Sequence, residues 1–279
     1  MKILIGGDIS FGRVRKGKCI SYSVEGCLDD LALIPRDYSI VNLESPICST
    51  PLSGEKFDNY DKVILYAEPR DVLHLKKAEI DYVSLANNHA LDHGSQGIRE
   101  TTEALDQVSI SHSGTTDKFY LPHVDQDKKL VIFSIDLIED YSLSSPVMCS
   151  RNLSQFLEVA SRARRIYSDY LLVVCCHWGD EYFQDPNTFQ TNLAHRLIDL
   201  GADMIVGCHP HVKQPVEIYK GKPIFYSMGN LYFTHHNKKY DNLAEVHQSF
   251  ISVVRFEGRE YVDRKDYEGY IQSGRSVDF

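Results

Sequence analysis

Residues 201–215, GADMIVGCHPHVKQP, run an apolar stretch, Met204–Val206, straight into two histidines one residue apart, His209 and His211. Imidazoles so placed can ligate a metal or meet a phosphate. The arrangement recurs along the chain. Lys2–Ile5 runs into GGDIS and Asp8, and Tyr38–Leu43 runs into Glu44. Tyr82–Leu85 runs into ANNHALDHG, with Asn87, Asn88, His89 and Asp92, and Leu171–Cys175 runs into HWGDEY, with His177. Each has a plain alternative: a turn former at Asp8, a turn at Asn87–Asn88, a hydrogen-bonded core imidazole at His177. Five such endings in the same sense outweigh those alternatives, because ligands of open α/β sheets collect outside the carboxyl ends of strands. A mixed Asp/Glu/Asn/His set without thiolate suits Mn, Fe or Zn in hydrolytic work better than a structural zinc.

A divalent metal, one ion or a pair, held by such groups lowers the pKa of a bound water and clamps the oxygens of a displaced group. His89 titrates in the range needed to protonate a leaving group, with Asp92 close by in sequence as a second catalytic candidate. Arg13, in FGR just after Asp8, is either a bidentate clamp for a phosphate or carboxylate or a surface arginine. Asp180 and Glu181 follow His177 closely enough to orient a ligand or contact substrate. Asn230, beyond the apolar run Pro223–Tyr226, is a further substrate-binding candidate, and His235 and His236 fall in a loop.

The elements that must position these groups alternate. Apolar strands are predicted at Lys2–Ile5, Tyr38–Leu43, Tyr82–Leu85, Leu130–Ile135, Leu171–Cys175, Met204–Val206 and Pro223–Tyr226. Helices are predicted over 71–80, over 152–166 with Asn152 as N-cap, and over 191–200, where Gly201 stops the run. Phe250–Phe256 and Glu260–Val262, joined by Glu257-Gly258-Arg259, read as an antiparallel hairpin. Residues 53–65 and 232–248 read as long polar loops near the site. Strands alternating with helices, several of the strands continuously apolar, predict an α/β layered fold with covered sheets.

With 279 residues the chain can bury a sizeable core, and no repeat or linker divides it, so a single domain over 1–279 is expected, with C-terminal strands at 248–264. A net charge of −9 argues against a nucleic-acid surface. No apolar run approaches the roughly 20 residues that span a bilayer, and MKILIGGD lacks a cleavage site, so no membrane anchor and a cytoplasmic location are expected. Seven cysteines without a CxxC pair read as reduced thiols, most of them small buried hydrophobes.

The ordered blocks GGDISFGR, NLESPI, ANNHALDHG, HWGDEY and GADMIVGCHPHVKQPVEIYKGKPIFYSMGNLYF, spanning residues 1 to 235, resemble the CapA family of poly-γ-glutamate capsule biosynthesis proteins. That family belongs to the calcineurin-like metallophosphatases. The resemblance implies a four-layer α/β/β/α sandwich with a dinuclear metal centre between strand-end loops. It implies Asp8 and His211 on the first metal, Glu44 as the bridge, Asn88, His177 and His209 on the second metal, and His89 as general acid. The superfamily's Asp-x-His is here Asp8-Ile9-Ser10, which predicts weaker binding of the first metal. The acid expected directly after His89 is displaced to Asp92.

An extended HPH segment would put the β-carbons of His209 and His211 about 7 Å apart, too far for one zinc-sized ion and suited to two. Pro210 would keep that segment extended. The expected activity is metal-dependent hydrolysis of a phosphoester or related anionic substrate, linked to γ-glutamyl polymer or peptide metabolism. Two alternatives stay open: a non-hydrolytic accessory of poly-γ-glutamate synthesis or export, and a metal-dependent amide or γ-glutamyl hydrolase.

Overall fold

The computed structural model describes residues 1–15, 18–49, 63–115, 121–138, 147, 152–233, 243–271 and 277–278. In chain order the strands are β1 (Lys2–Ser10), β2 (Gly12–Arg15), β3 (Lys18–Ser21), β4 (Tyr38–Leu43), β5 (Ile64–Leu65), β6 (Tyr82–Ser84) and β7 (Ser111–Ser113). They continue as β8 (His123–Asp125), β9 (Leu130–Asp136), β10 (Leu171–His177), β11 (Met204–Cys208) and β12 (Val216–Tyr219). The last are β13 (Lys222–Phe225), β14 (Asn230–Phe233), β15 (Gln248–Glu257), β16 (Glu260–Ile271) and β17 (Val277–Asp278). The helices are α1 (Val72–Lys77), α2 (Gly94–Gln107), α3 (Leu153–Ile166) and α4 (Thr188–Asp199).

Eight strands form one sheet in the order β17-β16-β15-β14-β1-β4-β6-β7, six form a second, β12-β13-β11-β10-β9-β8, and β3-β2-β5 form a small third. Side chains alternate between the two faces of a strand, and this sorts the core into three layers. Leu4, Val41 and Val83 pack with Val72 and Leu75 of α1 and Leu105 of α2. Val131, Phe133, Leu172 and Val174 pack with Phe156 and Ala160 of α3 and Leu193 and Leu197 of α4. The opposite faces, Ile3, Ile5 and Ile40 from one sheet and Ile132, Val173 and Val206 from the other, meet between them. Helices, sheet, sheet, helices make the expected α/β/β/α sandwich.

β1, β4 and β6 run parallel in the first sheet, and β9, β10 and β11 in the second. Their carboxyl ends carry the residues singled out in the sequence. β1 is longer than expected, because Gly6 and Gly7 lie within the strand rather than in a turn after it. A β-carbon on Gly7 would stand 1.8 Å from the Gly229 carbonyl, so only glycine lets the neighbouring chain approach this closely. The register of β1 against β4 shifts between Ile5 and Asp8, and Asp8 emerges next to Asn42.

Several expectations need correction. Helix α2 is missing from the elements predicted above; its buried face is Gly97, Ile98, Thr101 and Leu105. Thr101 accepts the Ile47 N–H at 2.9 Å, so the helix docks partly through a hydroxyl. The C-terminal hairpin extends to Ile271, beyond the expected 264. Residues 232–248 are not a continuous loop: Tyr232 and Phe233 end β14, and Ala244–His247 make a 3-10 turn. Of 53–65, only Val63 to Leu65 are described, and Ile64–Leu65 pair with β2; 53–62, like His235 and His236, lie outside the described residues. Cys27, Cys48, Cys175, Cys176 and Cys208 are buried and Cys19 is exposed. No helix of the described residues is long and apolar enough to cross a membrane.

Candidate metal centre

The end of β1 and the end of β4 bring two carboxylates together in the interior. Asp8 is fully buried, accepting the Asn42 amide at 2.8 Å and the His209 N–H at 3.2 Å. Glu44 follows β4 with its N–H on the Ile9 carbonyl, and its side chain is fully buried. Neither Glu44 carboxylate oxygen has a hydrogen-bond partner. A buried carboxylate left in that state is costly unless a charge compensates it.

Three imidazoles face it. Glu44 Oε1 is 3.8 Å from His211 Nε2, 3.8 Å from His89 Nε2 and 4.0 Å from His177 Nε2. His177, the last residue of β10, has Nε2 2.8 Å from Asn88 Oδ1 and 3.2 Å from His209 Nδ1. His211 Nδ1 is 3.3 Å from Asp8 Oδ2 and 3.0 Å from Asn230 Oδ1. His209 is thus beside His177, and His211 beside Asp8. Metal–nitrogen bonds of about 2.0–2.1 Å place tetrahedral donors about 3.3 Å apart, the scale of these separations.

The HPH segment is not extended. His209 has φ 99° and His211 φ 57°, both left-handed, so the chain turns sharply after β11 instead of continuing as a strand. The turn brings the His209 N–H onto Asp8 and both imidazoles inward. A nitrogen of each, with a Glu181 oxygen, lies within 4.8 Å of the others. Asp8, Glu44 and His211 form a second group of the same tightness.

The electrostatics favour a cation. Burial first, then Asp8, pushes the Glu44 carboxyl up to about 8. Burial pulls His211 down, but Glu44 and Asp8 outweigh it and raise it to about 10. Two buried carboxylates therefore need a positive charge between them, from a proton or from a metal. Burial holds His177 and His209 well below the ordinary imidazole value, with neighbouring imidazoles adding to the effect. They stay neutral, the state in which imidazole ligates. The orphaned Glu44 oxygens, the neutral imidazoles and the absence of thiolate from the cluster fit a divalent ion.

The remaining candidates divide. His89 is oriented by Asp92, whose Oδ2 lies 2.7 Å from its Nδ1. Asn230 sits on β14 opposite Asp8, fully buried, with its Oδ1 against His211 Nδ1. Asp180 accepts from Asn187, the N-cap of α4, at 2.8 Å, which ties it to the start of that helix. Arg13 lies on β2, paired through its backbone with Leu65, and its guanidinium stands 5.9 Å over the Tyr22 ring; Nε is buried without a partner.

A family model described as "Bacterial capsule synthesis protein PGA_cap" matches residues 2–235. The chain belongs to the PGA_cap family. Among relatives in this family, PGA biosynthesis protein CapA of Bacillus subtilis is 34% identical over 242 residues, covering 81% of this chain and 62% of that protein. Capsule biosynthesis protein CapA of Bacillus anthracis is 31% identical over 250 residues, covering 81% and 58%. A probable polyglutamine synthesis accessory protein of Mycobacterium tuberculosis is 28% identical, covering 78% and 60%. The chain spans about three-fifths of the length of these relatives. In fold it is similar to a hypothetical protein from Thermus thermophilus, with TM-score 0.57 and 17% identity, covering 98% of this chain and 100% of that one.

One amide of this PGA_cap chain, Asn42, escaped the sequence reading of its site, and Asn87, named there as a strand-end residue, was given no part in it. Asn42 bonds Asp8 and lies 3.4 Å from His177 Nδ1, linking the two sheets. Its signal was available: it stands two residues before Glu44, on the same face of the strand. Asn87 donates to the Leu43 carbonyl at 2.9 Å and accepts the His89 N–H at 3.1 Å, which sets the loop that presents Asn88 and His89.

Proposed function

We propose that this chain is a cytoplasmic metal-dependent hydrolase acting on a phosphoester or related anionic substrate, linked to γ-glutamyl polymer or peptide metabolism. The observation that carries the reading is Glu44, buried with both oxygens unpartnered and ringed by three imidazoles. Asp8, Glu44 and His211 would hold one divalent ion (Mn, Fe or Zn), and Asn88, His177 and His209, with Glu44 between, a second. Such ions supply a bound water of lowered pKa and a positive clamp on substrate oxygens. The protein's own groups do the rest. Asp92 fixes the His89 ring with Nδ1 donating, leaving Nε2 on the Glu44 side to pass a proton to a departing oxygen. Asn42 and Asn230 hold Asp8 and His211 in place.

Elemental analysis of the purified protein, followed by a screen of phosphoesters and γ-glutamyl peptides with added Mn, tests this reading. Turnover of a phosphoester that disappears in His89→Ala is the expected result. Absence of metal, or turnover indifferent to His89→Ala, would overturn it. The second reading, a non-hydrolytic accessory of poly-γ-glutamate synthesis, draws support from the names of the relatives. Metal-dependent binding of γ-glutamyl oligomers without cleavage would favour it. Cleavage of the γ-glutamyl peptides themselves would favour the amide hydrolase.

A further inference from the structure

We propose that the Glu181 carboxylate is a metal ligand at the mouth of the centre, supplying a donor that β1 does not provide at Ser10. The inference rests on the reading of this cluster as a metal centre. Ser10 is turned away from that role, its hydroxyl donating to the Gly12 carbonyl at 3.4 Å. Glu181 lies in the turn after β10, and that turn is tied to the histidine turn at two points. The Trp178 N–H donates to the Cys208 carbonyl at 3.1 Å, and the Tyr182 N–H to the Pro210 carbonyl at 2.8 Å. Glu181 is therefore carried by the same backbone framework as His209 and His211. The turn holds Tyr182 at φ 68°, a conformation unfavourable for a non-glycine residue that persists only where the surroundings impose it.

The outcome is a carboxylate oxygen of Glu181 and one nitrogen each of His209 and His211, all within 4.8 Å of one another. Donors sharing an ion at about 2.0–2.2 Å stand at most about 4.4 Å apart, a gap that an exposed glutamate closes by a small rotation. A second observation points to the same place: the unpartnered Glu44 Oε1 lies 3.8 Å from His211 Nε2. With Asp8, Glu44 and His211 around the first ion, the Glu181 oxygen would add a further protein donor on its exposed side, while His209 stays with His177 and Asn88. The adjacent acid, Asp180, is engaged by Asn187, so it serves as a control for charge alone.

Metal-stripped wild type, Glu181→Gln and Asp180→Asn are titrated with Mn and with Zn by calorimetry, with circular dichroism to check the fold. Glu181→Gln should weaken an ion's binding by about tenfold or more, while Asp180→Asn stays at the wild-type value. Glu181→Gln matching wild type, or Asp180→Asn losing as much, overturns the role of Glu181. Wild type that takes up neither metal overturns the metal-centre reading, and this inference with it.

Discussion

His89 Nδ1 lies 2.7 Å from Asp92 Oδ2, and the same oxygen accepts the Leu65 N–H at 2.6 Å. Asp92 is thereby fixed from two sides, and the imidazole it holds can present only Nε2 to the centre. Asp92→Asn should keep the metal and lower kcat by about 10²-fold or more, because the amide no longer enforces the tautomer. Elemental analysis beside steady-state kinetics separates the two effects. A variant with wild-type kcat would remove Asp92 from the proton path.

The pairing of His177 Nε2 with Asn88 Oδ1 and His209 Nδ1 gives a second expectation. His177→Ala and His209→Ala should each lose the more tightly held ion and all metal-dependent activity. His211→Ala should keep that ion and show reduced activity. Metal content unchanged in both of the first two variants would sink the assignment.

A third concerns stability at the opposite end of the second sheet. Asp203, fully buried, is met by Arg164 at 2.7 Å, Arg259 at 3.1 Å and Lys222 at 3.3 Å. These cations come from α3, from the turn between β15 and β16, and from the start of β13. Asp203→Ala leaves them without their anion and should cost about 3–5 kcal/mol in urea unfolding. A loss below about 1 kcal/mol would show that water replaces the carboxylate.

Acid sensitivity can be read away from the centre. Burial lowers the pKa of His93, whose Nε2 is 2.8 Å from the Leu65 carbonyl, and burial likewise lowers His123. The unfolded chain then binds more protons than the folded one, so stability is present above the ordinary histidine value of about 6.5 and falls as pH drops through it. The melting temperature should decline from pH 7.5 to 5.5, and His93→Gln should shrink that decline. An identical pH dependence in the variant would assign the loss to other groups.

The central strands were legible because burial on both faces leaves an uninterrupted apolar run, as in β4, where all six residues are buried. Their ends were legible for the complementary reason: a carboxylate or imidazole directly after such a run has few bland uses. Helix α2 was missed although Ile98, Leu105 and Val108 recur at helical spacing, because Gly97 and Thr101, half of its buried face, thin out that stripe. The backbone at His209 and His211 was not legible. Proline between them favours an extended neighbour, and only the contact with Asp8 shows why the chain bends instead. Asp180 and Glu181 could not be told apart in sequence, because what separates them is a partner seven residues on, Asn187.

The cluster lies on a seam. Asp8, Asn42 and Glu44 ride on the eight-stranded sheet, while His177, His209 and His211 ride on the six-stranded one. Elsewhere the two sheets face each other through apolar side chains and a few hydroxyls, such as Tyr82 to Ser134 at 2.7 Å. Such contacts slide at little cost, whereas donors gripping one ion from both sides do not. An occupant of the centre acts as a rivet, and its binding free energy adds to the resistance of the two halves to parting. Loading the site should therefore slow amide exchange along β4 and β10 together, many residues from the ion itself.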